Sequence, residues 1–475
     1  MVLLAAKDAE IVAKDVQLAE LRARIERLEA LLRKDSSNSG KPPSSDAPFE
    51  KKPARKRSSR QRTGRRPGRQ PGDSSTTLRL VENPDEIIAC TPACCAGCGE
   101  GFADAAVFAT SRHQVVEVPD TPKPHVTEYQ VQSRECAGCG TVTEASAPLG
   151  AGGPVAYGPG VKARVAWLTC GQFLPVRRAA RVLGTLLGVH VSVGFTASVR
   201  AQAAKLLQDG GFLDRVRDLI KSVPVAHADE TTARAHGALR YLHIACTEYL
   251  TVMHAGDRTG ESIDAGGIWP AFTGVPVRDG YRGYAHLTGA VHAWCGIHLL
   301  RDLRAVHDGD PDGQGWADAM ANTLLLANTS AHTARDQGRD ALTGEQLTTI
   351  RSRYHGAIAH GWSENAAGRG PLADQARTLL RRFARYEDMI LRFAFDLRVP
   401  FTNNTAELDA RAAKVQQRTS GGCWRTLQGL ADWAAVQSYL ATARKWGIDT
   451  LDALVKLFTD GPWLPDSLTP SSTML

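Results

Sequence analysis

No stretch of the 475 residues approaches the roughly 20 consecutive apolar residues of a membrane-spanning helix. The first residues alternate charged with apolar side chains and lack the basic-then-apolar order of a secretion signal. Disulfide scaffolding is also missing. Six of the ten cysteines fall between positions 90 and 139, a clustering that suits metal ligands rather than cross-links in a chain this long. A cytoplasmic protein is expected. One segment lacks charge of one sign: residues 51–69 hold ten Lys and Arg and no acid. Of 57 basic residues this leaves 47 elsewhere, against 50 acidic ones, so the net charge of +7 is one local arm on a remainder near −3. Such an arm fits nucleic acid. The length predicts more than one domain, and the 43% apolar content supplies ordinary core material.

Residues 1–36 carry Leu4, Ile11, Leu18, Ile25 and Leu32 at a seven-residue spacing, with Leu21 and Leu28 interleaved. That pattern predicts a short parallel coiled coil and hence a homo-oligomer, the alternative being an amphipathic helix packed on its own domain. Residues 37–80 are breaker-rich and basic and read as a disordered linker. Its Arg55, Lys56, Arg57, Arg65, Arg66 and Arg69 are candidate DNA contacts, since closely spaced arginines among Pro and Gly neutralise phosphates or enter a narrow minor groove. A solvated linker or a sorting signal would share this composition.

Within residues 81–148, Cys95-Ala-Gly-Cys98-Gly and Cys136-Ala-Gly-Cys139-Gly are two C-x-x-C-Gly knuckles, each able to aim two thiolates at one ion. They predict a structural Zn²⁺ module, with Cys90 and Cys94 spare and β-rich pieces at 115–118 and 126–131. In residues 149–215, Pro175 opens a helix that Gly188 ends, and Ser192 caps another. Either a helix-turn-helix bearing Arg200 and Lys205 or a plain helical hairpin fits.

The acids come next. Val223 to Thr231, then Leu239 to Thr247 and Tyr249 to His254, read as a three-strand meander with Asp229 on its first strand. Asp279 follows the short strand Val275-Pro-Val277, and Glu407 opens a helix after Asn403-Asn404, where Asn404 or Thr405 would cap it. Three carboxylates from separate elements suit a pair of Mg²⁺ or Mn²⁺ ions and phosphodiester cleavage. A single acid after a strand is more often a turn residue, and Glu230 competes with Asp229. Cys295 and His298 share one helical face, as metal ligands or as core residues that fix a helix start, with His298 near a scissile phosphate.

Taken in order, the zipper, Asn38-Ser-Gly-Lys-Pro-Pro-Ser-Ser-Asp46, the knuckles, Asp229-Glu-Thr, Asp279-Gly-Tyr, Cys295-Gly-Ile-His298-Leu-Leu-Arg301-Asp-Leu and Pro400-Phe-Thr-Asn-Asn-Thr-Ala-Glu407 resemble the DDE transposases of the bacterial IS-sixty-six insertion-sequence family. That resemblance extends over nearly the whole chain. It implies a multidomain α/β plus α protein whose ribonuclease-H-like core is built from residues 216–303 and 397–430. The core would be interrupted by an all-helical insertion at 304–396 and followed by a helical region at 431–475. It implies Asp229, Asp279 and Glu407 as the catalytic, metal-holding triad, with Cys295, His298 and Arg301 as support and Lys414 and Arg418 on DNA. The activity implied is cleavage and strand transfer at the ends of an insertion sequence, with accessory proteins of the same element as further partners and nucleoid association in a bacterium. A departure is Leu408, where the family usually has Arg. An inactive DNA-binding derivative, a repressor or a nuclease without strand joining are the alternatives.

Overall fold

The computed structural model describes residues 13–22, 24–25, 80–102, 106–118, 123–146 and 155–471. Leu4, Ile11, Leu28 and Leu32 of the heptad pattern, and the cations Arg55, Lys56, Arg57, Arg65, Arg66 and Arg69, lie outside the described residues. The chain divides into two compact units, Ala47–Pro122 and Met1–Asp46 with Lys123–Leu475.

In the smaller unit, Cys94 bridges Gly101 around the first knuckle. The Val81 N–H donates to Gln114 Oε1 at 2.7 Å, and the Val81 carbonyl accepts from Gln114 Nε2 at 2.8 Å. The expected strands at 115–118 and 126–131 do not form. In the larger unit, β1 (Ser133–Glu135) and β2 (Val142–Glu144) pair on either side of the second knuckle. The knuckle turn brings its own flanks into register, whereas Val115, Val116, Val118 and Val126 are exposed.

Helix α1, residues 13–22, leaves Val16, Leu18 and Leu21 exposed. Four helices lead into the sheet: α2 (Pro159–Ala166), α3 (Val176–Leu187), α4 (Val193–Asp209) and α5 (Phe212–Lys221). Their ends follow local chemistry. Gly188 closes α3 at φ 64°, a left-handed conformation that costs a residue without Cβ little. The Ser192 hydroxyl accepts the Phe195 N–H at 3.1 Å and starts α4.

The sheet is five-stranded, in the order β5-β4-β3-β6-β7. β3 (Val225–Ala235), β4 (Ala238–Cys246) and β5 (Thr251–Gly256) form the antiparallel meander. After α6 (Gly260–Ala265), β6 (Val275–Arg278) and β7 (Ala293–Trp294) add in parallel. Beyond α7 (Gly296–Gly309), the chain is helical through α8 (Gly315–Asp336), α9 (Gly344–Asn365), α10 (Pro371–Arg385), α11 (Glu387–Ile390) and α12 (Arg392–Phe395). It returns to the sheet with α13 (Asn404–Thr419) and ends in α14 (Leu427–Lys445) and α15 (Thr450–Thr459).

Two hydrophobic clusters share this sheet. The first joins the meander to α2–α5 and α13–α15, around Phe212, Leu242, Trp433 and Tyr439. The second joins β6 and β7 to α7–α12, around Trp316, Leu380 and Phe383. Helix α14 is buried on nearly every side, so its polar residues need partners inside. Ser438 and Thr442 find them on β5, accepting the N–H groups of Met253 at 2.8 Å and Thr251 at 3.1 Å. The outer edge of β5 is thereby closed against further strand pairing.

Candidate active site

β3 and β6 run parallel with a constant offset, Val225 opposite Val275 and His227 opposite Val277. Carried two residues further, the same register sets Asp279 against Asp229. Adjacent strands lie about 4.8 Å apart, so two acids in register there are held close. Asp279 has just left the strand, and its Oδ1 accepts the Tyr281 N–H at 2.9 Å, which fixes the carboxylate in a tight turn.

The third acid arrives on α13. Asn403, the residue before that helix, is buried and does not use its side chain as a cap. Its Nδ2 donates to the Ala228 carbonyl at 2.8 Å, and its Oδ1 lies 2.9 Å from His227 Nδ1. Its backbone N–H donates to the Cys295 thiol at 3.2 Å. One asparagine therefore ties the start of α13 to β3 beside Asp229 and to the start of α7. Glu407 follows in the first turn. The expected caps, Asn404 and Thr405, are instead the first residues of the helix.

The electrostatics record the convergence. Burial, then the charge of Asp279, then those of Glu230 and Glu407 push Asp229 up to about 8, against a lowering by His298. For His298 burial opposes the charged imidazole, but Cys295, Glu407 and Asp279 outweigh it and raise the group to about 9. His298 Nδ1 lies 3.8 Å from Glu407 Oε1. Both atoms are shielded from solvent and neither has a hydrogen-bond partner. Cys295, His298 and Glu407 bring their ligand atoms within 4.8 Å of one another, a grouping that can hold a metal.

Glu230, the competitor of Asp229, has other company. Neighbouring residues of a strand face opposite sides. Glu230 Oε1 accepts from Arg258 Nε and Nη2 at 3.2 and 3.1 Å, and the Tyr284 hydroxyl donates to Oε2 at 3.4 Å. Burial and then Asp279 raise it to about 7, against the pull of Arg258. The Arg258 guanidinium lies 4.0 Å over the Tyr281 ring, so this cluster also braces the Asp279 turn. Arg382 from α10 pairs with Asp302 at 2.9 Å, and its guanidinium would meet any Cβ at Gly280.

Of the α13 cations, Lys414 donates to the carbonyl and hydroxyl of Thr232 at 3.1 and 2.6 Å, while Arg418 is exposed. Arg301 is half-buried one turn beyond His298, and Leu408 is exposed beside Glu407. Trp424 is packed on Trp433, with ring centroids 5.4 Å apart. In the sequence Asn403 stands only as part of a polar lead-in to the helix, and nothing there marks Arg258 or Tyr284. The doubled Asn after Pro400-Phe401 was the available signal for the first. The others carried none, because their partners are distant in the chain.

Each knuckle is closed by its own backbone hydrogen bonds. Cys95 N–H donates to the Glu100 carbonyl at 2.8 Å, and Gly99 N–H to the Cys95 carbonyl at 2.9 Å. Cys136 and Gly140 repeat the pattern at 3.0 Å to Thr141 and 2.8 Å to Cys136. Gly99 and Gly140 stand at φ 80° and 71°, where a side chain would be strained. N–H groups of Cys98 and Gly97 lower the Cys95 thiol, and the Thr141 hydroxyl and N–H lower that of Cys139. Cys98 and Cys136 complete the two pairs and are exposed.

No helix among the described residues is long and apolar enough to cross a membrane. No curated protein matches the chain. Residues 4–79 match a family of unknown function, DUF6444. Residues 154–431, more than half of the chain and every element from α2 through the first residues of α14, match the model described as Transposase IS66 family. The chain belongs to the IS66 family of transposases.

Proposed function

We propose that this protein cuts and rejoins DNA at the ends of an insertion sequence by in-line phosphoryl transfer, with Asp229, Asp279 and Glu407 as its catalytic carboxylates. The observation that carries the reading is geometric: the β3–β6 register sets Asp279 against Asp229, and the Asn403 contacts to β3 bring α13 and its Glu407 to the same strand. The strand order β5-β4-β3-β6-β7, three antiparallel strands followed by two parallel ones, supports a ribonuclease-H-like core.

The donor set fits Mg²⁺ or Mn²⁺. It is all carboxylate oxygen, its mutual repulsion calls for a cation, and Glu407 Oε1 is a buried acceptor without a donor. Bound there, a pair of divalent ions would activate the attacking hydroxyl and stabilise the leaving oxygen. The chain's own part is placement. Asn403 sets Glu407 against β3, and the Tyr281 turn sets Asp279. His298 stands beside Glu407, its Nδ1 3.8 Å from Oε1, where an imidazole N–H could donate to a phosphate oxygen. Arg258 holds Glu230 so that it does not compete.

DNA would be delivered by the basic segment, through Arg55, Lys56, Arg57, Arg65, Arg66 and Arg69, and by exposed Arg418. Lys414 would instead brace α13 on β3. The thiolates of Cys95, Cys98, Cys136 and Cys139 are assigned to structural Zn²⁺. The exposed apolar face of α1 would pair with a second copy in a coiled coil.

Exposed Leu408 beside Glu407 favours one competing reading, a DNA-binding derivative without catalysis. A nicking assay on a plasmid bearing the element's ends separates the two. Metal-dependent nicks and joined products are expected; retardation of the DNA without any cut would refute the enzymatic reading, and cuts without joined products would reduce it to a nuclease.

A further inference from the structure

We propose that Cys295, His298 and Glu407 form a second cation site, suited to Zn²⁺, whose filling withdraws the Glu407 carboxylate from the catalytic centre and stops strand cleavage. The inhibitory half rests on the strand-cleaving reading above; the binding half does not.

The site is built by two helix starts locked together. Gly296 N–H donates to the Phe401 carbonyl at 2.8 Å, and a Cβ at Gly296 would collide with the Phe401 ring. Asn403 N–H reaches the Cys295 sulfur at 3.2 Å. Cys295 precedes α7 and His298 is its third residue, so sulfur and imidazole share one face, with Glu407 brought against them by α13.

The three ligand atoms lie within 4.8 Å of one another. His298 Nδ1 and Glu407 Oε1, at 3.8 Å, are too far apart for a hydrogen bond, yet both are buried and unpartnered. Two atoms bound tetrahedrally to one ion at about 2.0–2.2 Å stand roughly 3.3–3.6 Å apart, a small adjustment from what is present. Thiolate and imidazole select Zn²⁺ over Mg²⁺, and three protein ligands leave a fourth position to water. Glu407 is the shared group. Held by a soft-ligand site on the α7 side, it no longer completes the oxygen set with Asp229 and Asp279.

The test counts zinc on the full-length protein. Wild type, Cys295→Ser and His298→Ala are equilibrated against buffered Zn²⁺ and assayed for bound metal, with thermal melting confirming that each is folded. Wild type should hold one ion per chain more than either variant, and the knuckle cysteines cancel in the difference. With Co²⁺ as probe, wild type minus Cys295→Ser should show a thiolate-to-cobalt absorption band. Should Cys295→Ser fail to fold, His298→Ala carries the comparison. Equal zinc in wild type and the folded variants overturns the site. For the inhibitory half, Zn²⁺ sufficient to fill the site should lower Mg²⁺-dependent cleavage by wild type at least tenfold. Unchanged cleavage with the extra ion bound overturns that half. If wild type never cleaves in Mg²⁺ without zinc, the strand-cleaving reading fails and the inhibitory half with it, while the zinc count still decides the site.

Discussion

The knuckles and the acids around Asp229 are assembled by opposite routes. At Cys95 and again at Cys136, a single turn closed by two backbone hydrogen bonds and a left-handed glycine presents its pair of thiols. Everything that sets their spacing lies within six residues, and the sulfurs are mostly exposed. At Asp229 the carboxylates come from a strand, a post-strand turn and a helix, and nothing local relates them. Parallel pairing of β3 with β6 and the Asn403 side chain do so instead. A site made by a turn should survive damage elsewhere in the fold. A site made by tertiary contacts should fail when any one of them is lost.

Breaking the acid centre has the largest expected effect. Asp229→Asn, Asp279→Asn or Glu407→Gln should each lower strand cleavage by about a thousandfold or more, roughly 4 kcal/mol of barrier, while gel-shift affinity for the ends is kept. Full activity in one of them would remove that residue from the triad. The knuckles are sharpened by Cys136→Ser, which should weaken zinc binding by about a hundredfold or more yet leave Mg²⁺-dependent nicking of naked plasmid within a few-fold of wild type. A matching loss of nicking would mean that the two sites are not independent. Asn403→Ala tests the tertiary route. Losing its side-chain hydrogen bonds should cost about 1–3 kcal/mol of stability and, through a displaced Glu407, roughly tenfold to a hundredfold in cleavage rate. A variant destabilised by that amount with unchanged cleavage would show that Asn403 does not position the acid.

The smallest expected effect is on pH. Asp229 and Glu230 are raised to about 8 and about 7. The folded state thus keeps protons that the unfolded chain releases near pH 4. Their contribution to stability is complete below about pH 4 and drains away as pH rises toward 8. His298, raised to about 9, acts in the same direction, its contribution present below about pH 6.5 and lost above it. In chelator the Tm should fall between about pH 5 and 8, at roughly 2–4 °C per kcal/mol. Asp229→Asn should flatten the slope and Mg²⁺ should reverse it. A slope unaltered by either change would mean that these acids are not coupled to a cation.

The same contrast explains what the residues disclosed unaided. The cysteine spacing marked both knuckle turns because the physics there is local, and Gly188 and Ser192 marked their helix ends for the same reason. The meander was legible from its alternation. The expected strands at 115–118 and 126–131 were not formed, because a run of valines says what a strand would accept and not whether a partner reaches it. The acids could be nominated only through the order of motifs along the chain. Asn403 reads in the sequence as a helix lead-in because its partners, Ala228 and His227, lie some 175 residues away. Glu230 was separable from Asp229 only once Arg258 and Tyr284 were seen beside it.

Manganese tests the central claim most directly, located by its anomalous scattering in crystals of the full-length protein bound to element ends. Two ions about 3.5–4 Å apart, both ligated by carboxylate oxygens of Asp229, Asp279 and Glu407, are predicted. Ions bound elsewhere, with any of those three side chains turned away from them, would contradict it.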